Sequence, residues 1–137
     1  MDDPRDTAEP AVGGGFEAQV LDAAAREREV ELTTYGRRTG RPHRTVIWIS
    51  GDGRRLFVRS GGGLGRDWTR NLLARDRGVL HVASLEVPVR ARHLSDAGEA
   101  RSVTELVILK YGPGVRRSAE DEPPTPAELA TFELFPA

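Results

Sequence analysis

Between Val30 and Ser60, three stretches suited to β-structure follow one another with only turn residues between them, and this spacing limits the fold more than any other feature of the chain. Val30-Glu31-Leu32-Thr33-Thr34-Tyr35 alternates and is rich in β-formers; Gly36 to Pro42 then supplies a turn or exposed loop. Arg44 to Ser50 contains Val46-Ile47-Trp48-Ile49, continuous enough to be buried on both faces. Gly51-Asp52-Gly53 is a hairpin signal leading into Leu56-Phe57-Val58-Arg59-Ser60. Gaps this short cannot hold a crossover helix, so neighbouring strands are expected to pair antiparallel.

Around these strands, Phe16, Val20 and Ala23/Ala24 recur at helical spacing and predict a helix from Phe16 to about Arg28. Gly61-Gly62-Gly63 and Gly65 break the pattern, after which Asp67 is expected to cap a short helix from Trp68 to Arg75. Strands are expected at Val79–Ser84 and Val87–Leu94. Asp96 and Glu99 then open a helix that Gly112-Pro113-Gly114 stops. Residues 115–127 read as an acidic, proline-rich loop, and Thr131 to Phe135 as a last strand. The whole is mainly β (α+β): a small antiparallel barrel with covering helices, one domain over 16–137, behind a flexible leader at 1–15.

The chain has no cysteine, which removes disulfides, thiolate catalysis and cysteine-ligated metal from consideration. His43, His81 and His93 are too widely spread to suggest a metal site, and no metal is expected. No run approaches the roughly 20 apolar residues of a membrane span, and Met1–Asp6 is acidic where a signal peptide is basic. A soluble, cytoplasmic protein without membrane partners is expected.

A net charge of −1 conceals an uneven distribution. Residues 37–92 carry thirteen Arg against Asp52, Asp67, Asp76 and Glu86, while both flanks are acidic. Arginine is the planar donor suited to phosphate and carboxylate recognition. In Gly36-Arg37-Arg38-Thr39-Gly40-Arg41-Pro42-His43-Arg44, four Arg fall on an exposed turn and the strand it enters, and the turn either binds an oxyanion or is a solvated hairpin tip. Arg59-Ser60-Gly61-Gly62-Gly63 brings an Arg and a hydroxyl to a strand end, followed by backbone bare enough to approach a phosphate; a flexible surface loop is the alternative. Neither a Walker A loop nor the dinucleotide fingerprint is present. Trp68 either walls a ring-binding pocket or packs into the core, and Asn71, three residues on, lies close to the same face.

Taken together, Leu32–Pro42, Gly51-Asp52-Gly53, Leu56–Gly63 and Arg66-Asp67-Trp68-Thr69-Arg70-Asn71-Leu72 resemble the deazaflavin-dependent nitroreductase relatives within the flavin-binding split barrels, over about residues 30–94. The resemblance implies a six-stranded split β-barrel, a homodimer, and a cofactor groove near the subunit interface. It also implies bound coenzyme F420 (a deazaflavin) or FMN, with phosphate contacts from Arg38, Thr39, Arg44, Thr45, Arg59, Ser60 and Gly61, with Gly62 in the same loop. Trp68 and Asn71 match the family's Trp-x-x-Asn. The chain departs from the common pattern at His43, across Thr45–Val46 and at Thr69.

The function expected is hydride transfer between the cofactor and a small organic substrate, the protein supplying placement, a dry pocket and fixed charge. The density of Arg37, Arg38, Arg41 and Arg44 suits the carboxylate-rich tail of F420 better than a mononucleotide alone requires. No catalytic residue stands out: Tyr35 or Tyr111 would either donate a proton or hold a satisfied hydroxyl. A barrel that binds cofactor without turnover is the competing reading. A nucleic-acid-binding module fits less well, because the basic segment has few aromatics and strongly acidic flanks.

Overall fold

The computed structural model describes residues 15–137, so the expected leader lies outside the described residues except for Gly15. In chain order the elements are α1 (Ala18–Arg26), β1 (Val30–Tyr35), β2 (Pro42–Ile47), β3 (Ile49–Gly51), β4 (Leu56–Arg59), α2 (Asp67–Ala74), β5 (Arg77–Val82), β6 (Leu85–His93), α3 (Ala97–Tyr111), α4 (Pro126–Leu129) and β7 (Thr131–Pro136). Seven strands form one sheet in the order β2-β1-β5-β6-β7-β4-β3, and every pairing is antiparallel.

The seventh strand corrects the expectation of six. One stretch expected as a single strand changes partners at Trp48: Ile47 pairs with Val30 on β1, whereas Ile49 pairs with Val58 on β4. The two edges of the sheet are therefore one residue apart in the chain, which forces the sheet to curl until they meet.

Turn chemistry follows the sequence. Asp52 Oδ1 accepts the backbone N–H groups of Arg54 (3.0 Å) and Arg55 (2.7 Å), and Gly53 sits at φ +92° in the left-handed region. In the β1–β2 turn Gly36 donates to the Arg41 carbonyl at 2.8 Å, with Gly40 at φ +75°. Asp96 Oδ2 accepts the Glu99 N–H and caps α3, which ends at Gly112.

Side chains from all seven strands, including Leu32, Ile47, Ile49, Val58, Leu80, Val89 and Phe132, enter one buried cluster with Val20, Ala23 and Ala24 of α1 and Leu72 of α2. This is the inside of the curl. On the outside, α3 covers Phe57 with Leu94, Val103 and Val107. Each buried aliphatic or aromatic side chain contributes roughly 1.5–3 kcal/mol relative to exposure, so the inner cluster is the main source of stability.

Ile47 and Ile49 both face inward, so alternation sends Val46 and Trp48 outward, where they are 55% and 45% exposed. This overturns the reading of that run as buried on both faces. Two further expectations change. Asp67 lies inside the first turn of α2 and does not cap it; Arg66 holds the cap position, and Thr69 Oγ1 donates instead to the carbonyls of Leu64 and Arg66. The 115–127 loop ends in the unexpected α4, held by a capping box in which Thr125 and Glu128 exchange hydrogen bonds. No helix among the described residues is long and apolar enough to cross a membrane.

Candidate functional site

Two cavities adjoin on the outer side of the β2–β3 bend. The larger, about 790 Å³, lies between the bend, the glycine loop after β4, the C-terminal end of α3 and the start of α4. The smaller, about 540 Å³, lies between the Arg37–Thr39 turn, β2 and the N-terminal end of α2. Thr45, Arg66 and Trp68 line both and form the waist between them.

The ten residues singled out in the sequence all line one cavity or the other. Thr45, Arg59, Ser60, Gly61, Gly62 and Trp68 border the larger; Arg38, Thr39, Arg44, Thr45, Trp68 and Asn71 border the smaller. Their availability differs. Arg44 is ion-paired with Glu31 across the β1–β2 ladder. Thr39 Oγ1 accepts the Arg41 N–H at 3.1 Å and so shapes the turn. Asn71 is buried, and both ends of its amide are engaged within the protein. Trp68 both walls the cavities and packs against the core, tilted on Phe132 at 6.1 Å between centroids.

Arg59 faces the outer side and reaches α3, donating from Nη1 to Thr104 Oγ1 and from Nη2 to the Ala100 carbonyl, both at 2.9 Å. Its Nε is buried and has no partner. Burial pushes the guanidinium down to about 10, with Glu128 opposing the shift. A positive group this desolvated, with one donor unsatisfied at a cavity wall, is suited to an anion.

Glu128 anchors the opposite wall. Its carboxylate is fully buried and accepts from Ser118 Oγ (2.6 Å), Thr125 N (2.9 Å) and Thr104 Oγ1 (2.8 Å). Burial alone would raise its pKa, but the hydrogen bonds from Ser118, Thr125 and Thr104 outweigh it and hold the group at about 2. Thr104 thus connects Arg59 to Glu128, and this chain fixes Thr125, Pro126 and Ala127 along the cavity.

The glycine loop is shaped for close approach. A Cβ added to Gly61 would meet nothing within 4 Å, so any side chain there would project into open space, whereas one on Gly62 would lie 2.6 Å from Arg66 Nε. Gly63, at φ +86°, abuts Pro126 of α4.

Several lining residues escaped the sequence reading. Arg66 belongs to a motif already noted but carries no signal of its own. Trp48, expected in the interior from its apolar neighbours, is 45% exposed. The Thr125-Pro126-Ala127-Glu128 capping box was the available mark for the α4 wall. Tyr111 has its hydroxyl satisfied, donating to the Arg28 carbonyl and accepting from Ile49 N–H. His81 and His93 are held by Thr33 and by the Leu129 carbonyl, and no cluster among the described residues could hold a metal.

The curled antiparallel sheet with helices on both sides is similar in fold to split barrels of the pyridoxamine 5′-phosphate oxidase kind. Residues 20–134 match the family described as "Uncharacterized protein conserved in bacteria (DUF2255)", and the chain belongs to that family. Among solved structures it is similar to HutZ, the heme storage protein from Vibrio cholerae, with a TM-score of 0.64 at 15% identity, covering 88% of this chain and 89% of that one. It is also similar to an F420-H2 dependent reductase, FDR-A (0.57, 18%, covering 80% and 94%). A third is a candidate pyridoxamine 5′-phosphate oxidase from Listeria innocua (0.58, 17%, covering 87% and 90%). No curated protein matches the chain.

Proposed function

We propose that the protein is an oxidoreductase that binds a phosphorylated flavin-type cofactor, F420 in preference to FMN, and passes a hydride between it and a small organic substrate. The observation that carries this reading is the pair of cavities joined at Thr45, Arg66 and Trp68, the larger setting Trp48, Trp68 and Tyr111 beside Arg59 and the smaller gathering Arg37, Arg38 and Arg44. The residues fit such a group: the orphaned Arg59 Nε and the open space over Gly61 meet the needs of a phosphate, and Arg37, Arg38 and Arg44 those of a carboxylate-bearing tail. Ser60 and Gly62 complete the loop, and Trp68 is the wall against a ring. When bound, the cofactor supplies the hydride chemistry. The chain's own part is to bind the anion, orient the ring and exclude water. The likeness to an F420-H2 dependent reductase supports the preference for the deazaflavin, and the resemblance carried by the sequence motifs is what supports a homodimer.

A binding protein without turnover draws on the same site. It is favoured by the engaged hydroxyl of Tyr111, which leaves no phenol among the cavity residues free to give up a proton. Paired titrations with F420 and FMN, followed by turnover with a reductant, separate the readings. Tighter F420 binding with turnover supports the enzyme, binding alone supports the carrier, and no binding of either cofactor overturns both.

A further inference from the structure

At the outer end of the larger cavity the side chains form a layered stack. The Trp48 indole lies parallel to the Tyr111 ring, 3.9 Å between centroids and 5° between planes. The Arg28 guanidinium is over the same Tyr111 ring at 5.0 Å, and because the indole fills one face, the cation takes the other. Tyr111 cannot swing, since its hydroxyl is tied to Arg28 and Ile49 backbone groups. Trp48 is thus the last layer of a fixed stack, with one face covered and 45% of its surface still exposed. An indole held in this way is a ready-made platform for another planar ring.

The lining of the same cavity carries more positive than negative charge. Arg66 and Arg116 line the cavity and have no carboxylate partner among the described residues, whereas Glu29 is the one lining carboxylate. Arg116 follows Tyr111 by five residues, across the Gly112-Pro113-Gly114 turn. The volume of about 790 Å³ lies in the upper part of the ~300–1,000 Å³ typical of small-molecule sites, leaving room for a second ring beside a tricyclic one.

We propose that this end of the cavity is a subsite for a planar aromatic molecule bearing an anionic group, its ring on the open face of Trp48 and its anion on Arg116. The inference rests on the reading of the cavity as a cofactor site and names the chemical class of the second reactant. A cationic or aliphatic ligand would forgo one of the two interactions.

The test is calorimetric titration of the full chain with 2-naphthoate, 2-naphthamide and cyclohexanecarboxylate, alone and with saturating F420 or FMN. Naphthoate is expected to bind about tenfold more tightly than the neutral amide or the non-aromatic acid, in keeping with charge-assisted contact and ring stacking. Arg116→Gln should abolish the preference for acid over amide, and Trp48→Leu the preference for aromatic over aliphatic acid. Arg116 is on an exposed loop, so its variant tests the proposal even if the Trp48 variant does not fold. Equal binding of acid and amide, indifference to Arg116→Gln, or displacement of naphthoate by bound cofactor would overturn the subsite. Selective naphthoate binding by a chain that takes neither cofactor would leave the subsite standing and remove the redox reading. Cofactor binding without naphthoate binding would do the reverse.

Discussion

Asn71 Oδ1 accepts two N–H groups from one residue, the backbone amide of Arg37 at 3.1 Å and its guanidinium at 3.2 Å, while Nδ2 donates to Thr34 Oγ1 at 3.2 Å. A buried amide on α2 therefore sets the position of the arginine turn that lines the smaller cavity. Asn71→Ala would strand these groups and is expected to cost about 1–3 kcal/mol, read by thermal denaturation, with weaker cofactor binding. Asn71→Asp keeps both acceptor contacts to Arg37, and Thr34 can donate in place of accepting. It should retain most of the affinity, and equal loss in both variants would show that Arg37 is not the link.

Gly62 and Gly78 separate function from folding. A Cβ at Gly62 meets only the guanidinium of Arg66, which can move aside, whereas one at Gly78 would lie 2.3 Å from the Thr33 carbonyl oxygen, part of the β1 backbone. Gly62→Ala should melt close to the parent while losing affinity for phosphorylated cofactor. Gly78→Ala should lose more than about 1–3 kcal/mol of stability through overpacking. The reverse order of melting temperatures would refute this assignment.

Arg59 and Ser60 divide in a similar way. Arg59 carries two hydrogen bonds to α3, so Arg59→Ala is expected to weaken both cofactor binding and the fold, by about 1–3 kcal/mol. Ser60 makes its contacts within the protein through its backbone, to Ala130 and Gly63, so Ser60→Ala should affect binding alone. Denaturant titration of the two variants, set beside their cofactor affinities, checks the distinction.

Glu128 should shape the acid limb of the stability curve. Its folded pKa of about 2 lies below the ordinary 4.5, so its contribution is present above about 4.5 and is lost as pH falls from there toward 2. Glu128→Gln is expected to melt lower at neutral pH and to flatten the loss of stability across that window. Melting curves between pH 2 and 7 would show it, and an unchanged acid limb would count against the buried carboxylate as its source.

Much of the fold was legible because its signals are local. Val30–Tyr35 is rich in β-forming residues, Asp52 and Gly53 make a hairpin by their own side chain and backbone, and Asp96 and Gly112 bound α3. The partner change at Trp48 was not legible, since it depends on which distant strands, β1 and β4, lie to either side. For the same reason Arg59 could be placed at a strand end, but its engagement by Thr104 and Ala100, residues more than forty positions away, could not be foreseen. The candidate site was readable as a set of residue types. Its division into two cavities with Arg66 at the waist is a tertiary fact that no spacing encodes.

Since Ile47 and Ile49 anchor opposite rims through a single intervening residue, the mouth of the cleft has no hinge along that side and its width is fixed by covalent continuity. Any retuning toward a different guest must therefore come from the three loops that frame it, at 36–41, 61–66 and 112–125. Directed evolution of this scaffold would gain most by concentrating diversity there and leaving the bend untouched.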